Sequence, residues 1–401
     1  MLAEEFVSQT RNSDYQYTIK LPRLLCGALI ILLVALATAP VRAQQPDKPS
    51  GRAEATSIIA NVRKIVTAHG VERLEKVTIG GIEQWVSIRG ADARNPVLLL
   101  IHGGPGYVSM PMSWWFTRGW EEYFTVVQWD QRGAGKTYLL NDPAVVGPTM
   151  TRERMLADAE ELTTWIRREL GKERIFVLGH SWGSYLGLEL AKRHPNWLYA
   201  YIGVGQLTDG PESERRGWRF AMDAARRAGN AEAVSQLQAI APYFPPGQTA
   251  SLKNIYTQRR WLDFYGGVMA HRNGNSAESD LVDLSPDYSS GEIAHIWDGN
   301  EFSERYLLAG VLSLDLTEIR RLHCPLILFA GRYDVNVNSE VAAAWFAKVN
   351  APSKQFIWFE NSAHLPMTEE PGKFLISLVR YARSIAVKAP EASPTAEISK
   401  R

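Results

Sequence analysis

Cysteine is nearly absent from this 401-residue chain: Cys26 and Cys324 are the only two. Cys26 lies in an N-terminal apolar run, so removal of that run leaves no partner for a disulfide, and a core of this size needs none. Cys324 opens an apolar strand and reads as a small buried hydrophobe. Excess charge is missing too. Forty-four basic residues face forty-three acidic ones, and no long run of one sign occurs, which argues against a nucleic-acid surface. No His/Cys/Asp cluster has ligand spacing, so neither a metal nor another cofactor is expected. Gly133-Ala134-Gly135-Lys136-Thr137 looks like the end of a phosphate loop, yet the position that such a loop needs as glycine is Asp130. Nucleotide binding is thereby excluded.

Long apolar runs are scarce as well. The exception is Leu24 to Ala39, preceded by Lys20 and Arg23 and followed by Val41-Arg42-Ala43. It is short for a membrane span, and the small-x-small ending suits signal peptidase. Residues 1–43 are therefore read as a secretory signal and the protein as secreted or periplasmic. The alternative is an uncleaved N-terminal anchor, the one route by which a membrane would be a partner.

Residues 44–53 read as a linker, and Ser57–Ala68 carries Ile58, Ile59, Val62, Ile65 and Val66 at helical spacing. A hairpin, Glu75–Ile79 and Ile82–Ile88, turns at Gly80-Gly81. Continuous apolar runs then alternate with amphipathic stretches. The runs are Val97–Ile101, Phe124–Trp129, Ile175–Leu178, Leu198–Val204, Pro325–Ala330 and Lys354–Phe359. The helices are clearest at Arg152–Leu170, Glu340–Val349 and Gly372–Val387. Strands without alternation, separated by helices, imply an α/β fold with a mostly parallel sheet covered on both faces. Residues 54–206 and 319–388 form its two parts. Residues 207–318, helical and without a clear strand, interrupt it as an inserted lid, and 389–401 reads as a disordered tail.

Gly179-His180-Ser181-Trp182-Gly183 directly follows a strand and opens a helix. Such a turn lifts a serine hydroxyl clear of the sheet edge and needs small neighbours. The serine needs a base, and the base an orienting acid. Of eight histidines, His69 and His102 precede the serine, His180 adjoins it and His194 ends the following helix. His271 and His295 fall in the insertion, and His323 at the expected buried start of a strand. His364 remains, in a loop beyond the strand Lys354–Phe359. Asp334 follows the preceding strand in a turn at the same sheet edge; Glu369 and Glu370 are too close to His364 in sequence. His102-Gly103-Gly104-Pro105-Gly106 follows Val97–Ile101. An amide of Gly104, or else of Gly103, would join that of Trp182 as an oxyanion hole, with His102 structural.

Together with Asp130-Gln131-Arg132-Gly133-Ala134-Gly135, these blocks resemble the α/β-hydrolase fold and, within it, the proline iminopeptidase family (peptidase family S33). The resemblance implies a serine hydrolase with Ser181 as nucleophile, His364 as base and Asp334 as acid, releasing N-terminal proline or another small residue from short peptides. It departs at His180, where the family usually has glycine. In the family, lid glutamates bind the substrate's free amine. Here the candidates are Glu301 and Glu304, beside Trp261-Leu262-Asp263-Phe264. Trp114 and Trp115, with Phe116, either line the acyl pocket or pack in the core. A carboxylesterase or lactonase with the same triad is the alternative, and a catalytically silent binding protein a third reading.

Overall fold

Along Val97–Ile101, Val97, Leu99 and Ile101 enter one hydrophobic cluster while Leu98 and Leu100 enter another. Successive side chains of a strand point to opposite faces, so an unbroken apolar run is what a strand buried on both faces requires. In the computed structural model, residues 51–274 and 276–389 are described, and they contain eight strands in one sheet. These are β1 (Val71–Ile79), β2 (Ile82–Gly90), β3 (Val97–Ile101), β4 (Thr125–Trp129), β5 (Ile175–His180), β6 (Leu198–Val204), β7 (Leu326–Gly331) and β8 (Lys354–Phe359). Their order is β1-β2-β4-β3-β5-β6-β7-β8. The β1–β2 hairpin joins antiparallel and every pairing from β4 to β8 is parallel.

Helices α1 (Arg52–Arg63), α2 (Arg152–Glu169) and α3 (Trp182–Arg193) precede β6. Between β6 and β7 run α4 (Gly210–Arg227), α5 (Ala231–Ala239), α6 (Leu252–Phe264), α7 (Ser276–Asp283), α8 (Ser290–Ala294) and α9 (Ile296–Leu312). Helix α10 (Ser339–Lys348) and a helical stretch from Pro371 to Val387 complete the cover. The proposed signal and all but the end of the linker lie outside the described residues, as does the tail beyond Ala389.

Two expectations need correction. The first helix begins at Arg52, inside the expected linker, and ends at Arg63 rather than Ala68. Its Ile58 and Val62, like Val66 beyond it, are exposed, so apolar spacing did not mark a buried face. Polar anchors hold α1 instead. Arg52 donates to the carbonyls of Asp283, Ser285 and Tyr288, and the buried Arg63 pairs with Glu121 and Asp287. His323 is exposed, while Cys324 beside it is buried.

Candidate active site

Parallel strands deliver their C-terminal ends to one edge of the sheet, and there the loops of β3, β5, β7 and β8 meet. Ser181 sits between β5 and α3 with φ 53° and ψ −119°, a conformation that costs a non-glycine residue roughly 1–3 kcal/mol. Its N–H donates to Val204 O at 2.9 Å, which pins the turn to β6. The flanking glycines are a matter of space. A Cβ on Gly179 would lie 2.3 Å from Gly183 O, and one on Gly183 would lie 2.1 Å from Ile101 O. Gly183→Ala is therefore expected to cost at least ~3 kcal/mol, the upper end of overpacking, read as a lower melting temperature or loss of soluble protein.

His364 lies beyond β8 with Nδ1 2.8 Å from Asp334 Oδ2. Both side chains are almost fully buried. Asp334 also serves its own turn, since Oδ1 accepts from the amides of Asn336 (3.0 Å) and Val337 (2.9 Å). One oxygen is thus fixed by the backbone and the other is left to the imidazole. The main chain of His364 is held from two sides. Its N–H donates to Val268 O (2.9 Å), and its carbonyl accepts from His180 Nε2 (3.0 Å). The two imidazole rings lie 4.8 Å apart. Burial, and secondarily the His364 charge, push the His180 pKa down to about 3, so this ring is a neutral strut between the serine turn and the histidine loop.

Gly103, Gly104 and Trp182 line the same cavity as Ser181, His180 and His364. Gly104 has φ 104°, and Trp182 opens α3, where a first-turn N–H has no intrahelical partner. The Asp130-Gln131-Arg132 segment, given no individual roles from sequence, braces this loop. His102 Nδ1 bonds Gly103 O (2.9 Å), and its Nε2 accepts the Gln131 N–H (3.2 Å). Burial lowers the His102 pKa to about 4, which keeps the ring neutral and structural. The Gln131 side chain donates to His102 O (3.0 Å) and accepts from the Trp182 indole (2.9 Å). Arg132 forms a fully buried pair with Asp158 of α2 (2.7 Å). Asp130 accepts from Tyr288 in the insertion and from the Lys136 amide (2.8 Å).

The cavity measures about 350 Å³, and the insertion supplies its far wall through Tyr256, Arg259, Arg260, Asp263, Glu278 and Glu304. Glu278, on α7, was missed from sequence. It is 1% exposed, and Oε2 accepts from Tyr107 OH at 2.9 Å, while Oε1 is buried with no hydrogen-bond partner. Burial lifts its pKa to about 7. Nothing in its surroundings in sequence sets it apart, because Asp280 and Asp283 follow it and the stretch reads as a solvated acidic face. Glu304 does reach the cavity. It accepts from Tyr256 OH (2.9 Å) and Asn300 Nδ2 (3.4 Å), and burial raises its pKa. Glu301 does not: it points to solvent, 3.4 Å from Arg305, because i and i+3 fall on either side of the boundary between wall and surface. Trp114 and Trp115 are also outside the cavity lining. The Trp114 indole donates to Leu281 O (2.8 Å), bracing α7, and Trp115 is half exposed.

Comparison with known proteins agrees with this architecture. Residues 96–371 match the alpha/beta hydrolase fold family. A probable aminopeptidase, YbaC, of Bacillus subtilis (strain 168) is 29% identical over 314 residues, 77% of this chain and 96% of that protein. A proline iminopeptidase of Clostridioides difficile (strain 630) is 25% identical over 288 residues, 71% of this chain and 88% of that protein. The crystal structure of a proline iminopeptidase from Mycobacterium smegmatis aligns with a TM-score of 0.56 at 19% identity. It covers 78% of this chain and 98% of the other. At that identity the likeness is one of fold.

Proposed function

The chain belongs to the α/β-hydrolase fold family, and we propose that it is a serine aminopeptidase that releases an N-terminal residue, proline among the candidates, from short peptides. Ser181 Oγ attacks the scissile carbonyl and His364 takes its proton. Asp334 holds Nδ1–H so that Nε2 faces the serine. The amides of Trp182 and Gly104 stabilise the developing oxyanion. His364 returns the proton to the leaving amine, and water attacks the acyl-enzyme by the same route in reverse.

One observation carries the choice of peptide over ester: Glu278 in the cavity of Ser181, with one buried oxygen unbonded. A buried carboxyl group with a vacant acceptor costs stability unless a cation arrives. The protonated amine of a peptide N-terminus is such a cation, and an acyl ester has none. Asp263 and Glu304 add to the same wall. Relatives named aminopeptidase and proline iminopeptidase point the same way. The test compares proline β-naphthylamide with p-nitrophenyl acetate. Turnover of the naphthylamide is expected; cleavage of the acetate alone would assign an esterase or lactonase instead. The Leu24–Ala39 run further supports export, for which the N-terminus of protein recovered from the periplasm should begin at Gln44.

A further inference from the structure

The catalytic cavity does not end at the insertion. Tyr256 and Arg260 line both it and an adjoining open groove of about 470 Å³, whose other lining residues are Gln236, Lys253 and Thr257. Lys253, Tyr256, Thr257 and Arg260 stand at i, i+3, i+4 and i+7 of α6, so one helical stripe forms the floor of the exit. The two cations on that stripe are two turns apart, about 10 Å along the axis.

Their pairing is uneven. Arg259, on the cavity side, is committed to the buried Glu214. The Arg260 guanidinium lies over the Trp261 ring, 4.6 Å from its centre. Its acidic partner, Glu232, is exposed and 3.3 Å away, and Gln236 is 3.4 Å away. An exposed pair of that kind is weak and exchanges readily. The Lys253 ammonium has no ion pair among the described residues, and it is exposed. Glu304 faces Tyr256 from α9, but Tyr256 OH and Asn300 already occupy its oxygens.

The cavity thus carries opposite charge at its two ends, across a largely apolar middle that includes Val268, Leu308 and Val337: an unsatisfied carboxyl group within, and free or loosely held cations where it opens. We propose that Arg260 and Lys253 form a subsite for the C-terminal carboxylate of the peptide, so that the enzyme prefers di-, tri- and tetrapeptides with free C-termini over amidated or longer chains. A guanidinium fork fits a carboxylate through two parallel hydrogen bonds, and Lys253 extends the reach by about two helical turns. This inference rests on the aminopeptidase reading, because it takes the amine end to be bound inside.

The experiment measures kcat/KM for Pro-Gly-Gly and for Pro-Gly-Gly-amide, with proline β-naphthylamide as reference. In the wild type the free acid is expected to exceed the amide threefold or more at low salt. In a Lys253→Gln/Arg260→Gln double variant that ratio is expected to fall to about one. Each ratio comes from one preparation, so loss of folded enzyme cancels. A wild-type ratio under threefold, or a ratio that survives the double substitution, overturns the subsite. Failure of the naphthylamide to turn over instead overturns the aminopeptidase reading beneath it.

Discussion

Glu278→Gln is expected to lower kcat/KM for proline β-naphthylamide by about 10²- to 10³-fold while changing p-nitrophenyl acetate turnover less than about threefold. The size follows from losing one partner of a buried, hydrogen-bonded charge pair, typically 2–5 kcal/mol. The amide isostere still accepts from Tyr107, so the wall keeps its shape. Stability should move the other way. The folded-state pKa of Glu278 is raised from 4.5 to about 7, so the folded chain binds this proton more tightly than the unfolded chain. Stability then falls as pH rises from about 4.5 to 7, and the full cost, on the order of 3 kcal/mol, is present above that window. At pH 8 the Gln variant should melt above the wild type by a few degrees, and the gap should shrink toward pH 5. Activity lost with stability gained is a pattern that a structural role for Glu278 cannot produce. The acid limb of log kcat/KM should also be steeper for the naphthylamide than for the acetate, since only the former requires Glu278 ionised.

Asp334→Asn is expected to cut kcat on the order of 10⁴-fold with little change in melting temperature. The Asn oxygen can keep both turn amides, those of Asn336 and Val337. Its NH₂ would then face His364 Nδ1, where the carboxylate now accepts. Two donors cannot pair, so the ring must place its proton on Nε2 and its lone pair on Nδ1. That tautomer has no base toward Ser181. If activity survives within tenfold, Asp334 is only a turn cap and another acid orients the histidine. Ser181 labelling rates, followed on the same variant, should fall in step with kcat.

The central strands were legible because burial on both faces leaves unbroken apolar runs such as Val97–Ile101 and Leu198–Val204, to which the two hydrophobic clusters correspond. The meeting of Ser181, Asp334 and His364 at one sheet edge was legible for a related reason: parallel strands bring their following loops to one edge, so position after a strand carries spatial meaning. The insertion offers no such rule. Glu278 and Glu301 both lie on helices that carry other acidic residues, and only tertiary packing turns one inward against Tyr107 and leaves the other beside Arg305. Helix α1 misled for the opposite reason. Its Ile58 and Val62 suggested a buried face, but Arg52 and Arg63 do the anchoring through hydrogen bonds and ion pairs that no periodicity records. His180 stood out in sequence only as a departure. Its use as a strut to the His364 carbonyl depends on a loop 184 residues away.

If Ser181 is an activated nucleophile, a fluorophosphonate should label it covalently. Folded wild-type protein should take up one equivalent of probe, recovered by mass spectrometry on the peptide containing Ser181, and Ser181→Ala should take up none. Unlabelled folded wild type, or equal labelling of the alanine variant, would rule out Ser181 as the nucleophile and leave a hydrolase-like fold that does not perform this chemistry.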